Sequence, residues 1–136
     1  MESSKYDEGL KKLLEMEGEA GSAVIEKMRL ISPDFTRYLL EFVFGEIYAR
    51  PGLDIKTKEA VTIAGMVTLG AALQLKVHVK AALNLGFTEQ EIVEMILQLA
   101  PIVGFVRAMD GLMAAQQVFD EKTKGELGAD IAVGSG

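Results

Sequence analysis

The chain has 136 residues, 49% of them hydrophobic and 25% charged, enough for one soluble domain with a real core. A net charge of −6 and a pI near 4.8 argue against nucleic acid as a partner. There is no cysteine, which removes disulfides, thiolate catalysis and cysteine-built zinc sites and is compatible with a reducing cytoplasm, the expected location.

Met1 to Glu8 is polar and acidic, unlike a signal peptide. Ser3 or Ser4 is placed to cap a short helix carrying Tyr6, Leu10, Leu13 and Leu14. Gly18 to Gly21 interrupts it, and Ser22 to Ile31 resumes helical spacing with Val24, Ile25, Met28 and Ile31. Ser32-Pro33-Asp34 is a restart, with serine at the cap and proline at the first helical position. The helix it opens is expected to reach Ala49 and to bury Phe35, Leu39, Phe42, Val43 and Ile47.

Arg50-Pro51-Gly52-Leu53 forms a turn, and Asp54 caps a helix running to Leu69. Gly70 breaks it. A second helix follows from Ala71 to Leu85, stopped by Gly86. The longest uncharged run, Ala60 to Leu75, is shorter than the roughly 20 residues of a membrane span and reads as buried helix, so no membrane partner is expected. Thr88 and Glu91 form a capping box, with Phe87 and Ile92 as its hydrophobic staple. The helix they open carries Ile92, Val93, Ile96, Leu99 and Ala100, and Pro101 is expected to kink or end it. A last helix starts near Gly104, with Phe105, Ala108, Met109, Leu112, Met113 and Phe119 expected inward. No stretch alternates as a strand, so the fold class is all-α. The chain divides into an N-terminal helical segment (1–31), a main domain (32–121) and a flexible C-terminal tail (122–136). Leu73 and Leu83, near the lysine side of their helix, favour a homo-oligomer that covers them.

The only histidine, His78, is the focus of the chemistry. Glu59 lies about 16 Å before Gly70 along its helix, and His78 about 12 Å after it. An antiparallel hairpin therefore brings the two to similar heights, where a carboxylate can orient an imidazole. Lys76 and Lys80 point nearly opposite to His78, so the imidazole faces inward, beside Ala71, Gln74, Ala81, Ala82 and Leu85. On the residues alone the plainer reading is a core histidine satisfied by one hydrogen bond, with Glu59 favoured by the helix dipole. The catalytic reading is an acid–base pair moving one proton near neutral pH. Arg50 has the planar fork to bind a substrate carboxylate, or equally covers the turn, and Tyr48 lies beside it. One histidine rules out H-E-x-x-H, no phosphate-binding glycine loop occurs, and no clustered spacing suggests a metal site.

The run FGEIYARPGLDIKTKEAVTIAGMVTLGAALQLKVHVKAALNLGFTEQEIVEMILQLAPIVGF resembles the carboxymuconolactone decarboxylase family. The marks are the R-P-G-L turn, the apolar helix, the histidine two turns into the next helix, the A-L-N-x-G-x-T-x-x-E-I segment and a glycine soon after a second apolar helix. The resemblance covers about Phe35 to Phe119. It implies an alkylhydroperoxidase D-like helical bundle, packed around a central antiparallel hairpin and assembled as a trimer or hexamer. It also implies a cofactor-free decarboxylase of aromatic catabolism, acting on a small carboxylated lactone or related organic acid. His78 would donate or relay the proton, Glu59 would orient it, and Arg50, Tyr48 and Gln74 would contact substrate. The superfamily also holds hydroperoxidases marked by Glu, C-x-x-C and His. Glu59 and His78 match the ends of that pattern, but Ala71 and Gln74 stand at the cysteine positions, so peroxide reduction lacks its thiolates. A non-catalytic oligomer that binds a small molecule is the third reading. Tyr48 where the family often has tryptophan, Ile102-Val103 where a tyrosine is usual, and Val106-Arg107 in place of Pro-Ala leave the substrate open.

Overall fold

The protein is described by a computed structural model that covers residues 4–134, with side chains described through residue 125. Among the described residues there are six α-helices and no strand: α1 (Lys5–Ile31), α2 (Pro33–Tyr38), α3 (Ile55–Leu69), α4 (Ala72–Asn84), α5 (Glu89–Val103) and α6 (Phe105–Gly134). A π-helical stretch, Leu39–Ile47, continues α2 without a break. No described helix is long and apolar enough to cross a membrane.

The expected punctuation is present. Ser4, Ser32, Asp54 and Thr88 each accept a hydrogen bond from a first-turn N–H, and the Thr88–Glu91 box is closed in both directions. Gly70 and Gly86 have φ of 70° and 101° and end α3 and α4. At both ends the next residue's N–H reaches back, Ala71 to the Met66 carbonyl (3.0 Å) and Phe87 to that of Ala82 (3.0 Å), so each helix end is closed by a paired reversal. Within α1 two helical segments meet across a kink at Gly18, the interruption expected there, with φ of 58° and ψ of −140° that are open to glycine.

Two apolar clusters result. Ile63, Val67, Leu75, Val79, Ile92, Ile96, Ala115 and Phe119 form the larger one, among α3, α4, α5 and α6. Leu13, Met16, Ile25, Leu40 and Phe44 form the smaller, between α1 and the π-helical stretch. Gly9 sets the approach of these last two elements: a Cβ there would overlap the Leu40 carbonyl. Gly9→Ala should therefore force the backbones apart and cost about 1–3 kcal/mol, read as a lowered thermal midpoint. An unchanged midpoint would show that α1 can shift without loss.

Two expectations are corrected. Phe35, Phe42 and Ile47 are exposed, and the buried side is Thr36, Leu40 and Phe44. Phe42 and Ile47 lie on the π-helical stretch, whose wider turn, marked by the Tyr48 N–H reaching the Val43 carbonyl (2.8 Å), rotates them outward; Phe35 precedes it on α2. In α6, Phe105, Met109 and Met113 are exposed, while Ala108, Gly111, Ala114 and Ala115 face in. Close packing selects the small side: a Cβ on Gly111 would already sit 3.2 Å from Val67 and 3.3 Å from Ile96. The C-terminal segment from residue 122 is helical through Gly134; residues 135–136 lie outside those described.

Candidate active site

Glu59 and His78 owe their meeting to the α3–α4 hairpin. Asp54 starts α3, Gly70 reverses the chain, and α4 returns alongside. Glu59 is completely buried, and only 6% of His78 reaches solvent. His78 Nδ1 lies 2.7 Å from Glu59 Oε1. An ionised carboxylate can only accept, so this contact places a proton on Nδ1 and leaves Nε2 as the nitrogen free to exchange one. The second Glu59 oxygen, Oε2, is buried with no hydrogen-bond partner.

A third group completes the cluster and is absent from the sequence-level expectation. Glu17 on α1 is buried, with Oε1 3.7 Å from His78 Nδ1. The site therefore lies where α1 meets the α3–α4 hairpin. One sequence signal pointed to it: Leu13, Glu17, Gly21 and Ile25 recur every fourth residue, so Glu17 is a charge on an otherwise apolar or small stripe of α1.

Electrostatics follow from this geometry. Burial works against the imidazolium, but the hydrogen bond and charge of Glu59, with the charge of Glu17, outweigh it and hold His78 above its ordinary value. Burial raises Glu17 above the usual carboxylate value; His78 opposes the rise and Glu59 adds to it. The Tyr48 phenol is likewise raised, first by burial, against the lowering contact with Thr62, with both glutamates adding to the rise.

The remaining expected site residues are dispersed. Tyr48 is half-buried, edge-on to Phe44 with ring centroids 5.0 Å apart, and close enough to feel both carboxylates. Arg50 is exposed on the rim of a crevice of about 360 Å³, whose walls include Tyr48, Leu53, Lys58, Val61 and Thr62. Lys58 Nζ donates to the backbone carbonyls of Tyr48 (2.6 Å) and Arg50, tying that turn to α3. Gln74 is exposed, and no described hydrogen bond joins it to His78. Among the described residues no group of three or more His, Asp or Glu is arranged to hold a metal ion.

Comparison with known proteins bears on the same residues. The sequence profile of the carboxymuconolactone decarboxylase family matches residues 33–117, a span that includes Glu59 and His78 but stops short of Glu17. The chain is similar to 4-carboxymuconolactone decarboxylase of Acinetobacter baylyi, 31% identical over 121 residues that cover 88% of this chain and 90% of the relative. It is similar to a nitrosuccinic acid decarboxylase of Metarhizium robertsii, 30% identical over 126 residues, with 89% and 86% covered. An uncharacterised 15.0 kDa protein of Paracoccus denitrificans is 35% identical over 97 residues, with 70% and 72% covered. An all-α fold built on the α3–α4 hairpin, a profile spanning most of the helices and near full-length relatives together establish that the chain belongs to the carboxymuconolactone decarboxylase family.

Proposed function

We propose that the protein is a cofactor-free decarboxylase of a small organic acid, with His78 as proton donor and Glu59 as the group that orients it. The observation carrying this reading is the buried 2.7 Å contact between His78 Nδ1 and Glu59 Oε1. Two relatives are named for decarboxylating a carboxymuconolactone and nitrosuccinic acid. Loss of a carboxylate from either kind of acid leaves a carbanion stabilised by a neighbouring carbonyl or nitro group. The substrate class is therefore a small acid with such an acceptor, a carboxylated lactone of aromatic catabolism first among them.

In the reaction the bond from carbon to carboxylate breaks, carbon dioxide leaves, and the electron pair stays on the substrate. His78 then gives its Nε2 proton to that carbon. Its Nδ1–H, held by Glu59, keeps the ring in the right orientation and steadies its charge. Arg50 and Tyr48, which share the walls of one crevice, meet the anionic and ring portions of the substrate. The exposed apolar surface of Ile102, Phe105, Val106, Met109 and Met113 is covered by further copies of the chain in a trimer or hexamer. The chain has no cysteine to run peroxide reduction through a disulfide.

Incubation with a panel that includes 4-carboxymuconolactone and nitrosuccinic acid tests the reading. Carbon dioxide release from at least one acid is the expected result. Tight binding of an acid with no release from any would instead favour a small-molecule-binding role, and peroxide turnover by the purified chain would revive the redox branch.

A further inference from the structure

Glu17 is a buried carboxylate that the chemistry above does not use. It reaches the same ring nitrogen of His78 that Glu59 holds, from a different helix. Gly21 makes room for it: a Cβ there would fall 2.6 Å from Glu17 Oε2. Only 8% of Glu17 is exposed, so its charge acts on the ring with little screening by water. One imidazolium against two carboxylates leaves an excess negative charge in the interior. Such an excess is relieved by binding protons more tightly. The upward shifts of both Glu17 and His78 have the sign this predicts.

We propose that Glu17 is a positioning residue that, once ionised, adds to the hold of Glu59 on the imidazolium form of His78, so that the ring keeps its proton to a higher pH than Glu59 alone would allow. Its consequence for turnover rests on His78 being the proton donor; the coupling of the two groups does not. Glu17 and His78 then titrate as a coupled unit, in steps that belong to the pair rather than to either group.

No other described charge competes at the ring. α3 contributes Glu59, and the turn after the π-helical stretch contributes the Tyr48 phenol. On α4, Lys80 pairs with Glu121 of α6 at 3.3 Å, and Lys76 lines a separate cavity with Arg107 and Asp110 of α6. The acidic residues of α5, Glu89, Glu91 and Glu94, are exposed.

The single histidine makes the test direct, because its ring signals in NMR need no separation from others. The titration midpoint of His78 is measured in the full-length chain and in Glu17→Gln, which keeps the shape and removes the charge. The midpoint should fall by about 1–3 pH units. An unmoved midpoint in a folded Glu17→Gln overturns the proposal. Should that variant not fold, Glu17→Asp takes its place. Withdrawing the charge by one methylene should lower the midpoint partway, and an unmoved midpoint overturns the proposal there too. A purely structural role would lower thermal stability and leave the midpoint alone. If the decarboxylase reading also holds, the alkaline limb of carbon dioxide release moves down with the midpoint. Release that survives His78→Ala would defeat that reading and leave the titration result standing.

Discussion

Carbon dioxide release is expected to fall about 10²–10⁴-fold in His78→Ala, the span by which a placed proton donor speeds a reaction. Nothing else in the cluster can take over. Glu59 is sealed from solvent, and Glu17 lies on the Nδ1 side of the ring, away from the nitrogen left to meet substrate. Lys80→Ala is the matched control, since Lys80 is on the same helix, half-exposed and, among the described residues, paired only with Glu121. It should keep near-wild-type release. The comparison is made at saturating substrate, so that the loss is read in kcat rather than in binding. Substantial release by a folded His78→Ala would mean that the buried pair is architecture and that the proton comes from elsewhere, with Tyr48 the next group to test.

The second large effect is on stability. Glu59→Ala removes one partner of a buried, hydrogen-bonded pair and leaves His78 facing a cavity, with only Glu17 at 3.7 Å. Breaking such a pair from one side costs about 3–5 kcal/mol, which for a domain of this size lowers the thermal midpoint by about 10 °C or more. Glu59→Gln still offers an oxygen to Nδ1–H and should lose less, since the shape and the hydrogen bond survive while the charge does not. Equal losses in the two variants would show that packing, not the hydrogen bond, is what Glu59 supplies.

The same pair makes stability depend on pH, with a definite sign. His78 is raised in the folded state above its ordinary 6.5, so the native protein holds that proton more tightly than the unfolded chain. Its contribution is complete below about pH 6.5 and is lost as pH rises through the folded value. Glu17, also raised, has the same sign and starts to lose its contribution above its ordinary 4.5. Asp54 and Glu91, lowered by the N–H groups they cap, act oppositely, but only where acid begins to protonate them. Denaturant unfolding between about pH 6 and 9 therefore isolates the cluster: wild-type stability should decline with pH there, and Glu59→Ala should flatten the decline.

Much of the helical framework was legible because its signals are local. A serine, threonine or aspartate ahead of free N–H groups, or a glycine able to take positive φ, acts within one turn and needs no partner from elsewhere. Ser4, Ser32, Asp54, Gly70, Gly86 and Thr88 all mark ends that the structure keeps. The Glu59–His78 contact was legible for a related reason. Two helices joined by a tight reversal have a fixed rise, so distance from the turn predicts which residues stand level.

Faces were harder than ends. Phe42 and Ile47 look like part of a buried stripe at ordinary helical spacing, but a π-helical turn changes the angle per residue, and no local residue announces it. In α6 two stripes compete, a bulky one with Phe105, Met109 and Met113 and a small one with Ala108, Gly111 and Ala115. Hydrophobicity favours the first and close helix approach the second. The choice belongs to the neighbours, Val67 and Ile96, which leave no room for larger side chains at Gly111.

The amino-acid order alone thus determined where most of the helices begin and where α3 and α4 end, that α3 and α4 fold back on each other, and that Glu59 and His78 stand level across the hairpin. Only the tertiary structure decided that Glu17 joins them. Its arrival depends on how α1 docks, through the bend at Gly18, the close passage of Gly9 against Leu40 and the space left at Gly21. Those are contacts between residues far apart in the chain, whose energies exist only once both surfaces are in place, so no reading of either segment by itself contains them.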